Sequence, residues 1–387
     1  MPRRIGVVTV ARSDYSHLVP LLESIAATPA LALQLFVAAG HLSARFGATA
    51  DLVARDGWPI AVRIDCTEDA DTPEAVARSL GRAISGFADA LAAARPDVLV
   101  VLGDRFEMLG AALAALPLTI PVAHLHGGEV TEGVIDEQVR HALTKVAHLH
   151  FAATAEYARR ILQMGEEPWR VHATGAPGLD RFRTMRYLSD AELEERLGLV
   201  LRGPVVLVTF HPETLDPSAT DSRVAEVLAA LAEIDADVVL TYPGADAGSH
   251  TVIERVTRFA EGHARARLVR SLGDDVYASL LRTADAMVGN SSSGVIEAAS
   301  FALPAVNIGD RQRGRVRAAN VIDVGHGRDQ IAAGIRKALA PEFRRSLANL
   351  ENPYGDGHAA PRIVKILADA DLGPRLITKR FVDLPAR

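Results

Sequence analysis

Between His124 and His141 the sequence HLHGGEVTEGVIDEQVRH gathers three histidines, four carboxylates and one arginine into eighteen positions. Acid, base and orienting partner in one short stretch are what proton transfer at carbon, or at a leaving-group oxygen, requires. Gly127, Gly128 and Gly133 let the chain bend closely around a ligand. From Ile135 the pattern turns helical, so Asp136 and Arg140 share a face at i and i+4. His124 and His126 also have a metal-ligand spacing, but the loop offers no clear third ligand set, so no metal is expected.

A different chemistry is written into VGNSSSGVIEAASF, residues 288–301, where an apolar run ends in Asn290, three serines and a glycine before a helix. The amides and positive dipole end of such a helix start suit an anion, and the small Ser291 and Ser292 let a phosphate approach. A cap alone would need only one serine. Glu297, one turn further on, is within reach of a ribose hydroxyl. NIGDRQRGRVR, residues 307–317, adds arginines at 311, 313, 315 and 317, whose planar forks bind phosphate bidentately, and Arg311 comes first after the strand. His211, in LVTFHPETL, closes another apolar run. Arg12, Asp14, Asp104 and Arg105 occupy equivalent positions in VTVARSDY and VVLGDRFEM.

Those positions acquire meaning from the elements around them. Short aliphatic runs alternate with longer helical patterns (RIGVVTV, HLVPLLESIAAT, LALQLFVAAG, then DVLVVLG and PVAHLHG), and the alternation restarts after residue 200 with PVVLVTFH, DVVLTYPG, AMVGN and PAVNIG. This is the pattern of parallel βαβ units, in which ligands bind beyond the carboxyl ends of the strands. A chain of 387 residues exceeds one compact core. The expected fold is therefore α/β, with two Rossmann-like domains facing each other across a cleft. The first spans 1–175, joined by a C-terminal helix at about 365–387, and the second spans 176–364, with the hinge near GAPGLDRF.

Composition narrows the function. A net charge of −6 argues against a nucleic-acid surface. No apolar run approaches the roughly 18 residues of a membrane helix, and the N-terminal run meets Arg12 and Asp14 too soon for a secretory signal. A single cysteine, Cys66, permits no intrachain disulfide and reads as a small core residue. A cytoplasmic enzyme is expected.

In order along the chain, VLGDRFEML, HLHGGEVTEGVIDEQVRHALTK, TFHPET, TYPGADAGS, GNSSSGVIE and NIGDRQRGR resemble the hydrolysing UDP-N-acetylglucosamine 2-epimerases of sialic and related nonulosonic acid biosynthesis. The resemblance covers nearly the whole chain. It implies the GT-B type of two-domain fold, no cofactor, and a nucleotide-sugar substrate as the partner, in a homodimer or homotetramer. It also implies a reaction: anti elimination of the nucleotide to a 2-acetamidoglucal, then hydration to the 2-epimeric free sugar. By position, Asp104 and Asp136 match proton-transfer residues, Arg140 the arginine beside the second, and His211 a histidine near the diphosphate. Arg12, Arg105, Ser291, Ser292, Glu297 and Arg311 match nucleotide contacts, and Ser271 and Leu272 match the segment that meets the base. Two departures stand out. His126 occupies a position where many relatives carry a catalytic glutamate, so that role falls to His126 or to Glu129. Gly244 replaces a frequent asparagine. A GT-B glycosyltransferase is the alternative, although it would have little use for so dense an acid/base loop.

Overall fold

The computed structural model describes residues 1–43, 48–68, 70, 72–131, 135–213, 217–243, 249–270 and 272–383. Gly133, Gly244 and Ser271 lie outside the described residues. The chain divides into two compact units: Met1–Arg183 with Tyr354–Arg387, and Thr184–Pro353.

The first unit is built on seven parallel strands: β1 (Arg3–Thr9), β2 (Leu31–Ala38), β3 (Ile60–Ile64), β4 (Val98–Leu102), β5 (Val122–Leu125), β6 (Leu149–Ala152) and β7 (Val171–Ala173). Their order in the sheet is β3-β2-β1-β4-β5-β6-β7. Val7, Val100, Ala123 and Leu125 pack on one face with Leu18, Leu21 and Leu22 of the helix Arg12–Ala26. Val8, Leu99 and Val101 pack on the other with Phe87 of the helix Pro73–Ala94. Two covered faces explain why the central strands read as unbroken apolar runs rather than as alternations.

The second unit repeats the plan with β8 (Val205–Thr209), β9 (Asp237–Thr241), β10 (Ala266–Val269), β11 (Ala286–Gly289), β12 (Ala305–Ile308) and β13 (Val321–Val324), ordered β10-β9-β8-β11-β12-β13. In both sheets the direction of winding reverses beside the first strand, between β1 and β4 and between β8 and β11. Ligands of doubly wound sheets bind at that reversal. The loops and helix starts that follow carry Arg12, Asp14, Asp104 and Arg105 in one unit, and His211, Asn290, Ser291 and Ser292 in the other.

The end of the chain returns to the first unit. The helix Ala359–Asp369 is capped by Asp180, whose Oδ1 and Oδ2 accept from the backbone N–H groups of Ala359 (2.9 Å) and Ala360 (2.7 Å). Ile363, Val364 and Leu367 of that helix complete the core around Leu18 and Leu22. The fully buried Arg170 then holds the next segment, donating to the carbonyls of Leu376 (2.7 Å), Arg375 (2.8 Å) and Thr378 (3.0 Å). Residues 176–183 and 354–364, assigned from sequence to the second domain, thus pack with the first. The Asp180 cap and the Tyr157–Tyr354 hydroxyl pair, 2.9 Å apart, are the physical reason.

Gly128 shows how tightly the loop after β5 is laid down. Its φ is +76°, and a Cβ there would sit 2.4 Å from the Tyr157 carbonyl oxygen, while Arg160 Nη1 donates to Gly128's own carbonyl. Gly128→Ala is expected to lower stability by about 1–3 kcal/mol through the left-handed backbone and that clash. Urea unfolding measures it; an unchanged midpoint would show that the loop does not need this close approach.

Candidate active site

Two strand-end loops of the first unit are stitched together before any side-chain chemistry begins. The N–H of Gly103, after β4, donates to the Leu125 carbonyl (3.0 Å). His124 Nε2 donates back to the Gly103 carbonyl (2.7 Å). Burial holds the His124 imidazole down at about 3, so it serves as a neutral donor.

Onto this frame Arg140 fastens Asp104. Arg140 is 2% exposed and its Nη2 pairs with Asp104 Oδ2. The same Nη2 reaches Thr131 Oγ1 at 2.7 Å, and Nη1 reaches Glu137 Oε2 at 3.3 Å. Glu137 in turn accepts from the Thr131 N–H at 2.7 Å and from His141 at 3.1 Å. Asp104 is therefore committed to Arg140 rather than to capping the next helix, Phe106–Ala115, which begins with no side-chain cap. Arg140 thus ion-pairs with Asp104, from the loop after β4, and with Glu137, on its own helix.

Asp136 opens the helix Asp136–Val146. Burial raises its carboxyl above the ordinary range; Arg105 opposes the rise and Glu107 adds to it. Arg105 is anchored to Glu107 at 2.9 Å. Below them Asp14 is almost wholly buried and accepts from Thr9 Oγ1 (2.7 Å) and the Val10 N–H (2.9 Å), yet burial still pushes it up to about 6. Thr9 also bonds His41 at 2.9 Å, and burial keeps that imidazole down at about 4.

His126 and Glu129 are one unit. Glu129 Oε1 accepts from His126 Nδ1 at 2.6 Å, and both side chains are largely buried. His126 has φ +62°, an uncommon conformation for a residue with a Cβ, and its N–H extends the ladder to the Phe151 carbonyl (3.0 Å). Both histidines of the His-x-His pair thus have protein partners.

In the second unit Asn290 does the joining. Its side chain bonds the His211 backbone in both directions, accepting from the N–H (2.7 Å) and donating to the carbonyl (2.8 Å). Asn290's own carbonyl receives Gln312 Nε2 (2.9 Å) and Arg311 Nη1 (3.3 Å). Asn290 thus draws together the ends of β8, β11 and β12. Gly289 permits this, since a Cβ there would lie 1.9 Å from the Thr209 carbonyl oxygen. Burial, with Arg311 second, holds the His211 imidazole down at about 4. Ser291 caps the short helix Ser292–Ile296, accepting from the Ser293 N–H (3.4 Å). Glu297 is buried and receives the Ser293 hydroxyl at 2.5 Å. Leu272 immediately precedes the helix Gly273–Thr283, and Arg12 is exposed at the start of its helix. The sequence reading missed Thr131, Glu137, Glu107, His41, Gln312, Tyr277 and Ser293. Glu137 and Thr131 lie inside the motif it singled out, but nothing in their spacing separates a brace from a solvated side chain.

Acid/base groups on the strand-end loops of one doubly wound unit, and a serine–arginine helix start in the other, define an enzyme of the GT-B type. A family model described as UDP-N-acetylglucosamine 2-epimerase matches residues 23–368. The chain is 34% identical over 380 residues to the UDP-N,N'-diacetylbacillosamine 2-epimerase (hydrolyzing) of Legionella pneumophila, covering 98% of this chain and 99% of that protein. It is also 34% identical to the GDP/UDP-N,N'-diacetylbacillosamine 2-epimerase (hydrolyzing) of Campylobacter jejuni, covering 99% of each. The chain belongs to the UDP-N-acetylglucosamine 2-epimerase family. Its fold is that of the UDP-GlcNAc 2-epimerase of Neisseria meningitidis solved with UDP-GlcNAc, with a TM-score of 0.81 at 19% identity, covering 95% of this chain and 100% of that one. Among the described residues no helix is long and apolar enough to cross a membrane.

The buried histidines set a pH dependence. His41, His148 and His211 are held at about 4 and His124 at about 3, chiefly by burial. Unfolded, each titrates near 6.5. Between those values and 6.5 the unfolded chain binds the extra protons, so stability falls as pH drops through that window. Asp14, raised to about 6, works in the opposite direction, as do Asp136 and Asp180, whose carboxyls burial also raises, while His150 and His172, lowered by burial as well, add to the four histidines. The urea midpoint is therefore expected to be lower at pH 5 than at pH 7. A flat or rising midpoint would mean that these imidazoles are not buried in the neutral form.

Proposed function

We propose that this enzyme is a hydrolysing 2-epimerase acting on UDP-N-acetylglucosamine or a related UDP- or GDP-linked 2-acetamido sugar. A base removes the proton at C2, the bond from C1 to the nucleotide oxygen breaks, and a C1=C2 double bond forms, giving a 2-acetamidoglucal and the nucleoside diphosphate. Water then adds its hydroxyl to C1, and C2 receives a proton on the face opposite the abstraction. The free N-acetylmannosamine-type sugar leaves. The observation that carries this reading is the density of proton-handling groups beyond the carboxyl ends of β4 and β5: two aspartates, Asp104 and Asp136, from separate elements, and the His126–Glu129 dyad. A transferase needs an acceptor base and a leaving-group clamp, and would leave most of this set without a task. Water as the second reactant draws support from the two bacillosamine relatives, both described as hydrolyzing.

The roles are those the family resemblance implies for these positions. Asp104 and Asp136 exchange the C2 proton, Arg140 fixes the first of them, and the His126–Glu129 dyad acts as one acid/base unit. Ser291, Ser292 and Arg311 hold the diphosphate, Glu297 the ribose, and Leu272 with Ser271 the base. His211 stands by the leaving phosphate, and Arg12 and Arg105 supply further positive charge to it.

Turnover in D₂O, followed by NMR, is expected to give free 2-epimer carrying one deuterium at C2, together with released nucleotide. A product still attached to nucleotide would overturn hydrolysis, and a product without deuterium would overturn elimination. Asp104→Asn and Asp136→Asn should each lose about 10²- to 10⁴-fold in turnover while still binding nucleotide. His126→Asn and Glu129→Gln should each impair turnover, with the double variant little worse than the more damaging single one, because the two act through one hydrogen bond. Additive losses would assign them separate tasks. Arg311→Ala should weaken nucleotide binding in calorimetry; unchanged affinity would take the diphosphate away from that arginine.

A further inference from the structure

Ser293 is the buried middle of a three-member chain. Its hydroxyl lies 2.5 Å from the Tyr277 hydroxyl and 2.5 Å from Glu297 Oε2. A carboxylate oxygen can only accept, so the one Ser293 proton goes to Glu297. The Ser293 oxygen must then take the Tyr277 proton. The direction of the whole chain is fixed, from Tyr277 through Ser293 to Glu297, and each bond polarises the next.

Its location gives the chain a purpose. Tyr277 stands on the helix Gly273–Thr283, whose start at Leu272 is the segment assigned to the nucleotide base. Ser293 stands on the helix whose start at Ser291 and Ser292 is assigned to the diphosphate. In any nucleotide the ribose is covalently placed between base and diphosphate. A relay that links the base-side element to the phosphate-side element, and ends on a carboxylate, therefore lies where a vicinal diol must pass. A carboxylate locked in one orientation is the matching acceptor for two adjacent hydroxyls.

We infer that Tyr277 and Ser293 are positioning residues that aim Glu297 at the ribose 2′- and 3′-hydroxyls, making the enzyme selective for ribonucleotide over 2′-deoxyribonucleotide. The inference rests on the nucleotide site proposed above and extends it to residues that do not themselves touch the ligand. Tyr277→Phe removes one hydroxyl and little else. Ser293→Ala breaks the chain at its centre.

The test is calorimetric affinity for whichever of UDP and GDP binds tighter, measured beside its 2′-deoxy form. Wild type should prefer the ribonucleotide. Tyr277→Phe should weaken the ribonucleotide by about 3- to 10-fold, the size of one lost hydrogen bond, and the 2′-deoxy form, which keeps only the 3′-hydroxyl, by clearly less, so that the preference shrinks. Ser293→Ala should do at least as much, and the double variant no more than Ser293→Ala alone, since Tyr277 acts through Ser293. A purely structural role would weaken both ligands equally, and that result overturns the inference. So does a wild-type preference that survives in both variants, in which case the nucleotide site itself still stands. A wild type that binds neither nucleotide would instead remove the site proposed above, and this inference with it.

Discussion

A guanidinium buried among carboxylates sets the terms for the first unit. Arg140 is 2% exposed, and a charge taken that far out of water is tolerable only when its partners are in place. Asp104, Thr131 and Glu137 supply them from the loop after β4, the loop after β5 and Arg140's own helix. Removing any one leaves a buried charge short of a partner, so the three segments are constrained to a single arrangement. The brace gives no strong promise of stability, because desolvation offsets much of what the pair gains. Its value is positional: a carboxylate on a short loop becomes as fixed as one on a strand.

In the second unit a buried amide does the joining. Asn290 uses both ends of its amide on the His211 backbone and its carbonyl on Gln312 and Arg311. Neutral hydrogen bonds suffice there because the groups to be held are backbone and a histidine that burial keeps neutral. Arg311 bonds the Asn290 carbonyl yet stays exposed, whereas Arg140 is enclosed with its carboxylates. Groups that must act at a fixed geometry are better fixed in advance, since misplacement by a fraction of an ångström is felt directly in rate. On the function proposed above, the different bracing of the two units follows from what each has to hold.

How much of this was legible depended on burial. The central strands β1, β4, β8 and β11 announce themselves because both faces are covered and their runs are mostly apolar. The edge strands β3, β7 and β13 went unread. Ile60–Ile64 alternates between half-buried and exposed, Val171–Ala173 is three residues long, and Val321–Val324 has only Ile322 buried. The strand-end placement of Asp104, His126, Asp136, His211 and Ser291 was readable, because a parallel sheet can only present its loops at its carboxyl edge. Who bonds whom was not. The i, i+4 spacing places Asp136 and Arg140 on one face, but nothing in the sequence shows that Asp104, 36 positions away, pairs with Arg140. Likewise a helix glutamate such as Glu297 reads as solvated until the fold buries it against Ser293.

The pairing of His126 with Glu129 makes one hydrogen-bonded unit of two side chains in the loop after β5. Glu129 takes Nδ1–H at 2.6 Å, which fixes the tautomer and makes Nε2 the basic nitrogen, on the far side of the ring from the carboxylate. The direction of that nitrogen is then set by the position of the His126 ring, and that in turn by the left-handed backbone at φ +62° and the two glycines that follow. A strained conformation costs about 1–3 kcal/mol and persists only where its surroundings impose it. Here the ladder bond to Phe151 on one side and the close approach of Gly128 to Tyr157 on the other impose it. Holding the dyad in one geometry therefore demands a stiff loop, and the glycines of His-Gly-Gly-Glu are what let the backbone take the required path.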